Sequence, residues 1–254
     1  MNEVICNSEK VLKRLKDFQR RTAEYVFRRF YTDANPTDRF LVADEVGLGK
    51  TLVAKGLIAL AIEHLHQVKK IERIDIVYIC SNISIASQNI NRLNVTGIQE
   101  FFSPTRLSLL PMHIAGIREN RVNYIGLTPG TSFDPQSRDG KVEERALIYY
   151  LLKGKLDINR AGLRHLLRGS VGKENWRYWT QKWWPDSLDT ASGEDFVQQI
   201  AADKDFHARL KSFCEMPANE IRKSQERLQL IFELRCRIAE TSLEMLEPDL
   251  IILD

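Results

Sequence analysis

The sequence predicts an α/β fold: a parallel sheet carrying a phosphate-binding loop, interrupted by a mostly helical insertion. Three observations predict it. The string Ala43-Asp44-Glu45-Val46-Gly47-Leu48-Gly49-Lys50-Thr51 lies between a β-prone run and a helix-like run. Further β-prone apolar runs follow at 76–81, 123–127 and 248–254. Between the last two, apolar residues recur at helical rather than strand spacing.

Taken in order, Leu15-Lys16-Asp17-Phe18-Gln19 opens an amphipathic helix running to about Tyr31. Arg39-Phe40-Leu41-Val42-Ala43 is short and apolar, as a buried parallel strand would be. In the loop that follows, Gly47 and Gly49 allow a tight turn that aims backbone N–H groups and a helix N-terminus at an anion. Glu45, Val46 and Leu48 complete the cradle, Lys50 adds a point charge for the β- and γ-phosphates, and the Thr51 hydroxyl suits magnesium. The pattern G-x-x-x-x-G-K-[ST] is broken at its first position, which is Asp44. Leu52, Ala54, Leu57, Ile58, Ala61, Ile62 and Leu65 then mark a helix.

Ile76-Val77-Tyr78-Ile79-Cys80-Ser81 reads as a second buried strand, with Asn82 or Ser84 capping the helix after it and Gln88 one turn inside. Asn123-Tyr124-Ile125-Gly126-Leu127 reads as a third, leading into the turn Thr128-Pro129-Gly130. A turn-rich linker at 134–140 opens the insertion, with helices expected at 142–153, 160–167, 193–202 and about 218–246. Pro248-Asp249-Leu250-Ile251-Ile252-Leu253-Asp254 is a last strand ending in a carboxylate.

Asp44-Glu45-Val46-Gly47-Leu48-Gly49-Lys50-Thr51 resembles the first motif of superfamily 2 helicases and translocases, in the branch of the Snf-type remodellers and the bacterial ATPase that recycles RNA polymerase. There an acidic pair stands where the first glycine would be. The resemblance covers most of 11–134 and then 246–254. It implies a RecA-like lobe begun by 1–134 and resumed by a Walker B strand at 248–254, with 135–247 inserted. It implies ATP and Mg2+ as cofactors, Gln19 reading adenine through its amide, Lys50 and Asp254 as catalytic residues, and Thr51 and Asp254 at the metal. Ser81, Asn82 and Gln88 match motif Ia, although an ordinary strand–loop–helix connection reads equally well. Thr128, Pro129 and Gly130 match motif Ib. Both motifs grip nucleic acid, and the acidic loop pattern favours DNA over RNA. In such proteins a glutamate that activates water follows the Asp of Walker B, and a second RecA-like lobe supplies arginine fingers. Neither is among these 254 residues. The expectation is a piece of a longer ATP hydrolase, silent by itself, acting in nucleic-acid remodelling or phage defence.

The insertion gathers all four tryptophans in Trp176-Arg177-Tyr178-Trp179-Thr180-Gln181-Lys182-Trp183-Trp184, preceded by Lys153, Lys155, Arg160, Arg164, Arg168 and Lys173. Large rings build a small helical core, and basic residues beside them suit phosphates. The two readings are compatible, and docking of a protein partner on the insertion is the alternative.

A net charge of +3 is too small to establish nucleic-acid binding from composition. Cys6, Cys80, Cys214 and Cys236 have neither zinc spacing nor a disulfide framework. With no apolar core in Met1 to Lys10 and no run of about 18 apolar residues, the expectation is a cytoplasmic protein without a membrane partner. Two rival readings are a regulatory module that binds nucleotide without hydrolysing it, and an interaction domain with a vestigial site.

Overall fold

Alternation along three short strands decides where the core sits. In strand β1 (Ile74–Ile79), Ile74, Ile76 and Tyr78 share one face, joined there by Val122 and Tyr124 of β2 (Val122–Leu127) and Leu250 of β3 (Leu250–Leu253). The strands are parallel in the order β2-β1-β3, with Ile74 opposite Val122 and Ile76 opposite Leu250. This computed structural model describes residues 6–43, 45, 47–97, 106–128, 138–181, 188 and 190–254. It is mixed α/β, with a small three-stranded parallel sheet and mostly helical content.

The chain forms two units, one of Met1–Ser103, Asn120–Leu127 and Pro248–Asp254, the other of Pro104–Glu119 and Thr128–Glu247. Residues 104–119, read from the sequence as part of the lobe, therefore group with the helical unit.

In the first unit, α1 (Ser8–Leu12) and α2 (Asp17–Phe27) pack on α3 (Lys50–Gln67), and α3 packs on the sheet beside α4 (Ile83–Leu93). Covered on several sides, α3 buries Val53, Leu57, Ile58, Ala59, Ala61, Ile62 and Leu65. At the N-terminal ends of the strands a polar staple holds the register. Asn123 Nδ2 donates to Asp75 Oδ1 at 2.7 Å, Arg73 pairs with Asp75 at 3.1 Å, and the Asp75 N–H donates to Asp249 Oδ2 at 2.8 Å.

The strand expected at 39–43 does not form. Leu41 is 84 % exposed, and Phe40 sits edge-on to Tyr25 of α2 with ring centroids 5.8 Å apart. β-Propensity describes a side chain's fit to a pleated surface, and without a ladder partner it does not make a strand.

In the second unit, α5 (Pro111–Glu119), α6 (Val142–Leu152), α7 (Arg160–Arg168), α8 (Lys173–Gln181), α9 (Thr190–Ala202), α10 (Lys204–Cys214), α11 (Ala218–Lys223) and α12 (Glu226–Glu244) gather around one apolar cluster. Ala146, Leu147 and Ile148 of α6 and Leu230, Ile231, Leu234 and Ile238 of α12 are at its centre. The helix expected over 218–246 is two helices, broken where Ser224 turns extended with ψ 133°. Inside, Arg235 Nε donates to Glu144 Oε1 at 2.8 Å in a fully buried pair. Arg145 and Arg227 donate to the Leu167 and Leu166 carbonyls, each at 2.8 Å, closing the C-terminal end of α7. Asp139 pairs with Arg227 at 3.0 Å and Arg145 at 3.5 Å, so these buried cations have a counter-charge.

Trp176 is 5 % exposed and meets Tyr149 edge-on at 5.6 Å, and Trp179 packs partly buried against the same cluster. Trp183 and Trp184 lie outside the described residues. The two tryptophans that are described serve the core reading.

Candidate nucleotide site

Backbone geometry shapes the loop before α3. Gly47 and Gly49 have φ of 90° and 82°, in the left-handed region that glycine enters without strain. Gly49 is the N-cap of α3, and its carbonyl receives the N–H groups of Leu52 at 2.8 Å and Val53 at 3.2 Å. Lys50 and Thr51 therefore occupy the first turn, where orphan N–H groups and the positive end of the helix dipole favour an anion. The exposed Lys50 Nζ donates to the Glu45 carbonyl at 3.2 Å, folding the ammonium back over its own loop. Leu48 is 42 % exposed at the tip. Val46 and Asp44 lie outside the described residues.

Gln19 comes to this loop from α2. Only 3 % exposed, it donates from Nε2 to the Leu48 carbonyl at 2.9 Å and accepts the Lys16 N–H at 3.0 Å through Oε1. A Cβ on residue 49 would lie 2.6 Å from that Nε2 and push the amide aside, while the φ of 82° is what requires glycine there. One amide hydrogen and one oxygen lone pair remain beyond these two bonds. The side chain expected at adenine thus braces the glycine loop.

Asp254 follows β3 directly, its N–H donating to the Ile79 carbonyl at 3.0 Å. Its Oδ2 accepts a short hydrogen bond from the Tyr78 hydroxyl and a second at 3.1 Å from Asn89 Nδ2, which also donates to the Tyr78 oxygen at 2.7 Å. Desolvation, followed by the bond to Asp254, pushes the Tyr78 phenol well above its ordinary range and keeps it a donor. Tyr78 and Asn89 escaped the sequence reading. The available signals were a Tyr inside a buried strand, which needs a partner for its hydroxyl, and an Asn inside a helix, a poor helix former.

Of the residues matched to motif Ia, Ser81 and Asn82 lie in the turn after β1 and Gln88 lies inside α4. Ser81, Asn82 and Gln88 are exposed, and Asn82 caps α4 by accepting the Ser84 N–H at 2.8 Å. β1 ends at Ile79 opposite Leu253 and Leu127, so Ser81, Asn82 and Asp254 follow the C-terminal ends of adjacent parallel strands. That edge is where open α/β sheets bind ligands. Thr128, the first residue after β2, is 2 % exposed, while Pro129 and Gly130 lie outside the described residues.

No group of three or more His, Cys, Asp or Glu side chains suited to a metal occurs among the described residues. A magnesium ion held mainly by phosphates and water would need no such group. Among the described residues, no helix is long and apolar enough to cross a membrane. A scan against protein-family models and searches of curated proteins and of solved structures each found no significant match.

Proposed function

We propose that this chain is the ATP-binding, RecA-like lobe of a superfamily 2 ATPase that acts on nucleic acid, DNA rather than RNA. The observation that carries the reading is the junction of loop and helix: left-handed Gly47 and Gly49 leading into α3, with Lys50 and Thr51 in its first turn. Gly47 is exposed, and a Cβ there would meet nothing within 4 Å, so the loop is open to an incoming ligand.

Magnesium-ATP, when bound, supplies the phosphoryl group and the charge that draws the loop's donors inward. Lys50 exchanges the neutral Glu45 carbonyl for a phosphate oxygen, a charge-assisted bond roughly twice as strong as a neutral one. Thr51 and Asp254 would be the residues that hold the metal, Thr51 with its hydroxyl and Asp254 with its carboxylate. Gln19 keeps the loop in register and has bonding capacity left for a base edge. Ser81, Asn82 and Gln88 offer exposed hydroxyl and amide groups to a nucleic-acid backbone.

Calorimetry on the 254-residue chain tests this. ATP is expected to bind with magnesium and more weakly in excess EDTA. Absence of binding in both would remove the nucleotide site.

A further inference from the structure

We propose that α7 and α11 form a second nucleic-acid contact, in which a row of arginines grips the phosphate backbone of duplex DNA. The contact needs no bound nucleotide and stands independently of the site at Lys50.

Arg160, Arg164 and Arg168 recur every four residues on α7 and so share one face. At a 1.5 Å rise they stand about 6 Å apart and span about 12 Å, a length over which one strand of a duplex presents three or four phosphates. Arg160 and Arg164 are exposed, and Arg168 is half-buried. Arg222 of α11 joins them, its Nη2 lying 3.4 Å from Nδ1 of His165, between Arg164 and Arg168 in sequence. Lys153, whose ammonium sits 4.3 Å above the Tyr150 ring, extends the patch toward Arg160.

No arginine in this group forms a salt bridge among the described residues. Among the nearby carboxylates, Asp157 pairs with Lys211, Glu215 accepts a hydrogen bond from Asn159 just before Arg160, and the exposed Glu220 precedes Arg222 by two residues on α11. The field is felt locally: desolvation, then Arg222, Arg164 and Arg168, hold the His165 imidazole below its usual range. Four arginines without an ion pair among the described residues, set against Glu215 and Glu220, leave a surplus of positive charge that a polyanion matches better than ordinary side chains do.

The face also lacks what a protein partner would use. None of the exposed large apolar side chains belongs to α7 or α11. Protein interfaces depend on aromatic or aliphatic anchors at a desolvated centre, whereas backbone contact with DNA requires only spaced cations. The apolar side of α7, Leu163, Leu166 and Leu167, is buried in the core and fixes the row rigidly.

Fluorescence anisotropy with a labelled duplex of about 20 base pairs tests the proposal, using the whole chain without nucleotide from about 50 to 200 mM salt. R160Q/R164Q is expected to bind at least tenfold more weakly at the low-salt end. Its log–log salt slope should fall by about 0.9 for each phosphate no longer neutralised. R160K/R164K should retain most of the slope. Arg222→Gln repeats the test from the neighbouring helix should the double variant fold poorly, and should itself weaken binding. Lys50→Ala should leave this affinity unchanged, which separates the contact from the nucleotide site. Unchanged affinity and slope in R160Q/R164Q and in Arg222→Gln would overturn the proposal. So would loss of duplex binding in Ser81→Ala/Gln88→Ala with the arginine variants intact, because the contact would then lie after β1.

Discussion

Gln19 Nε2 donates a 2.9 Å hydrogen bond to the carbonyl of Leu48, tying α2 to the tip of the glycine loop. The amide lies 2.6 Å from the position where a side chain on residue 49 would begin, so a substitution of Gly49 would displace this bond.

Gln19→Ala should therefore weaken phosphate binding as well as any preference for adenine. Loss of a buried neutral hydrogen bond costs about 0.5–1.5 kcal/mol, so ATP affinity should fall about threefold to tenfold. Gln19→Glu should be worse, since it replaces the donor facing the Leu48 carbonyl with an acceptor. Calorimetry with ATP and GTP separates the effects. A change in the ATP/GTP ratio at constant phosphate affinity would mean that the brace is unimportant.

Gly162 allows α7 to approach α10 more closely than any side chain would. A Cβ there would lie 1.7 Å from the Cys214 carbonyl oxygen, inside backbone that cannot rotate away. Gly162→Ala should destabilise the helical unit by at least the ~1–3 kcal/mol usual for overpacking. Chemical denaturation followed by circular dichroism should show the midpoint moving down. An unchanged midpoint would mean that the helices can separate without cost.

The aromatic cluster separates into buried and exposed members. Trp176→Ala should cost about 3–5 kcal/mol, the usual result of emptying a buried aromatic site. Tyr178, 47 % exposed, should tolerate Ala with little change. Equal melting temperatures for Trp176→Ala and the parent would return Trp176 to the surface and to a stacking role.

Much of this was legible in the sequence, and the reasons differ by segment. The β1 turn into α4 was readable because strand alternation, an Asn cap and a helical repeat occur within twenty residues. Asp254 was readable as the end of an apolar strand. The segment 39–43 was misread because apolar character cannot report a missing ladder partner. The break at Ser224 was hidden by an apolar stripe that continues in phase across it. The Gln19–Leu48 and Tyr78–Asp254 bonds join residues distant in sequence, so only the packing of α2 and the pairing of β1 with β3 reveal them.

Burial also sets a pH dependence. Desolvation, then the Lys69 ammonium, lowers the affinity of His64 for a proton, and desolvation does the same for His113. His64 sits against the Phe27 and Tyr31 rings, and its Nε2 is buried without a hydrogen-bond partner among the described residues. Because the folded values lie below the unfolded value of about 6.5, folding favours neutral imidazoles. That contribution is fully present above about pH 6.5 and is lost as pH falls through the folded values. The melting temperature should therefore drop on acidification from neutrality toward pH 5, and His64→Gln should flatten the slope. A melting temperature that rises over this window would contradict the sign.

The central claim is that Lys50 and the glycine loop hold the phosphates of a nucleotide, and titrating Mg-ATP into the parent chain and into Lys50→Ala tests it most directly. A hydrogen bond to a charged group contributes about 1.5–3 kcal/mol, so the variant should bind at least tenfold more weakly while melting at the same temperature. Equal affinity of the two proteins for Mg-ATP would contradict the account.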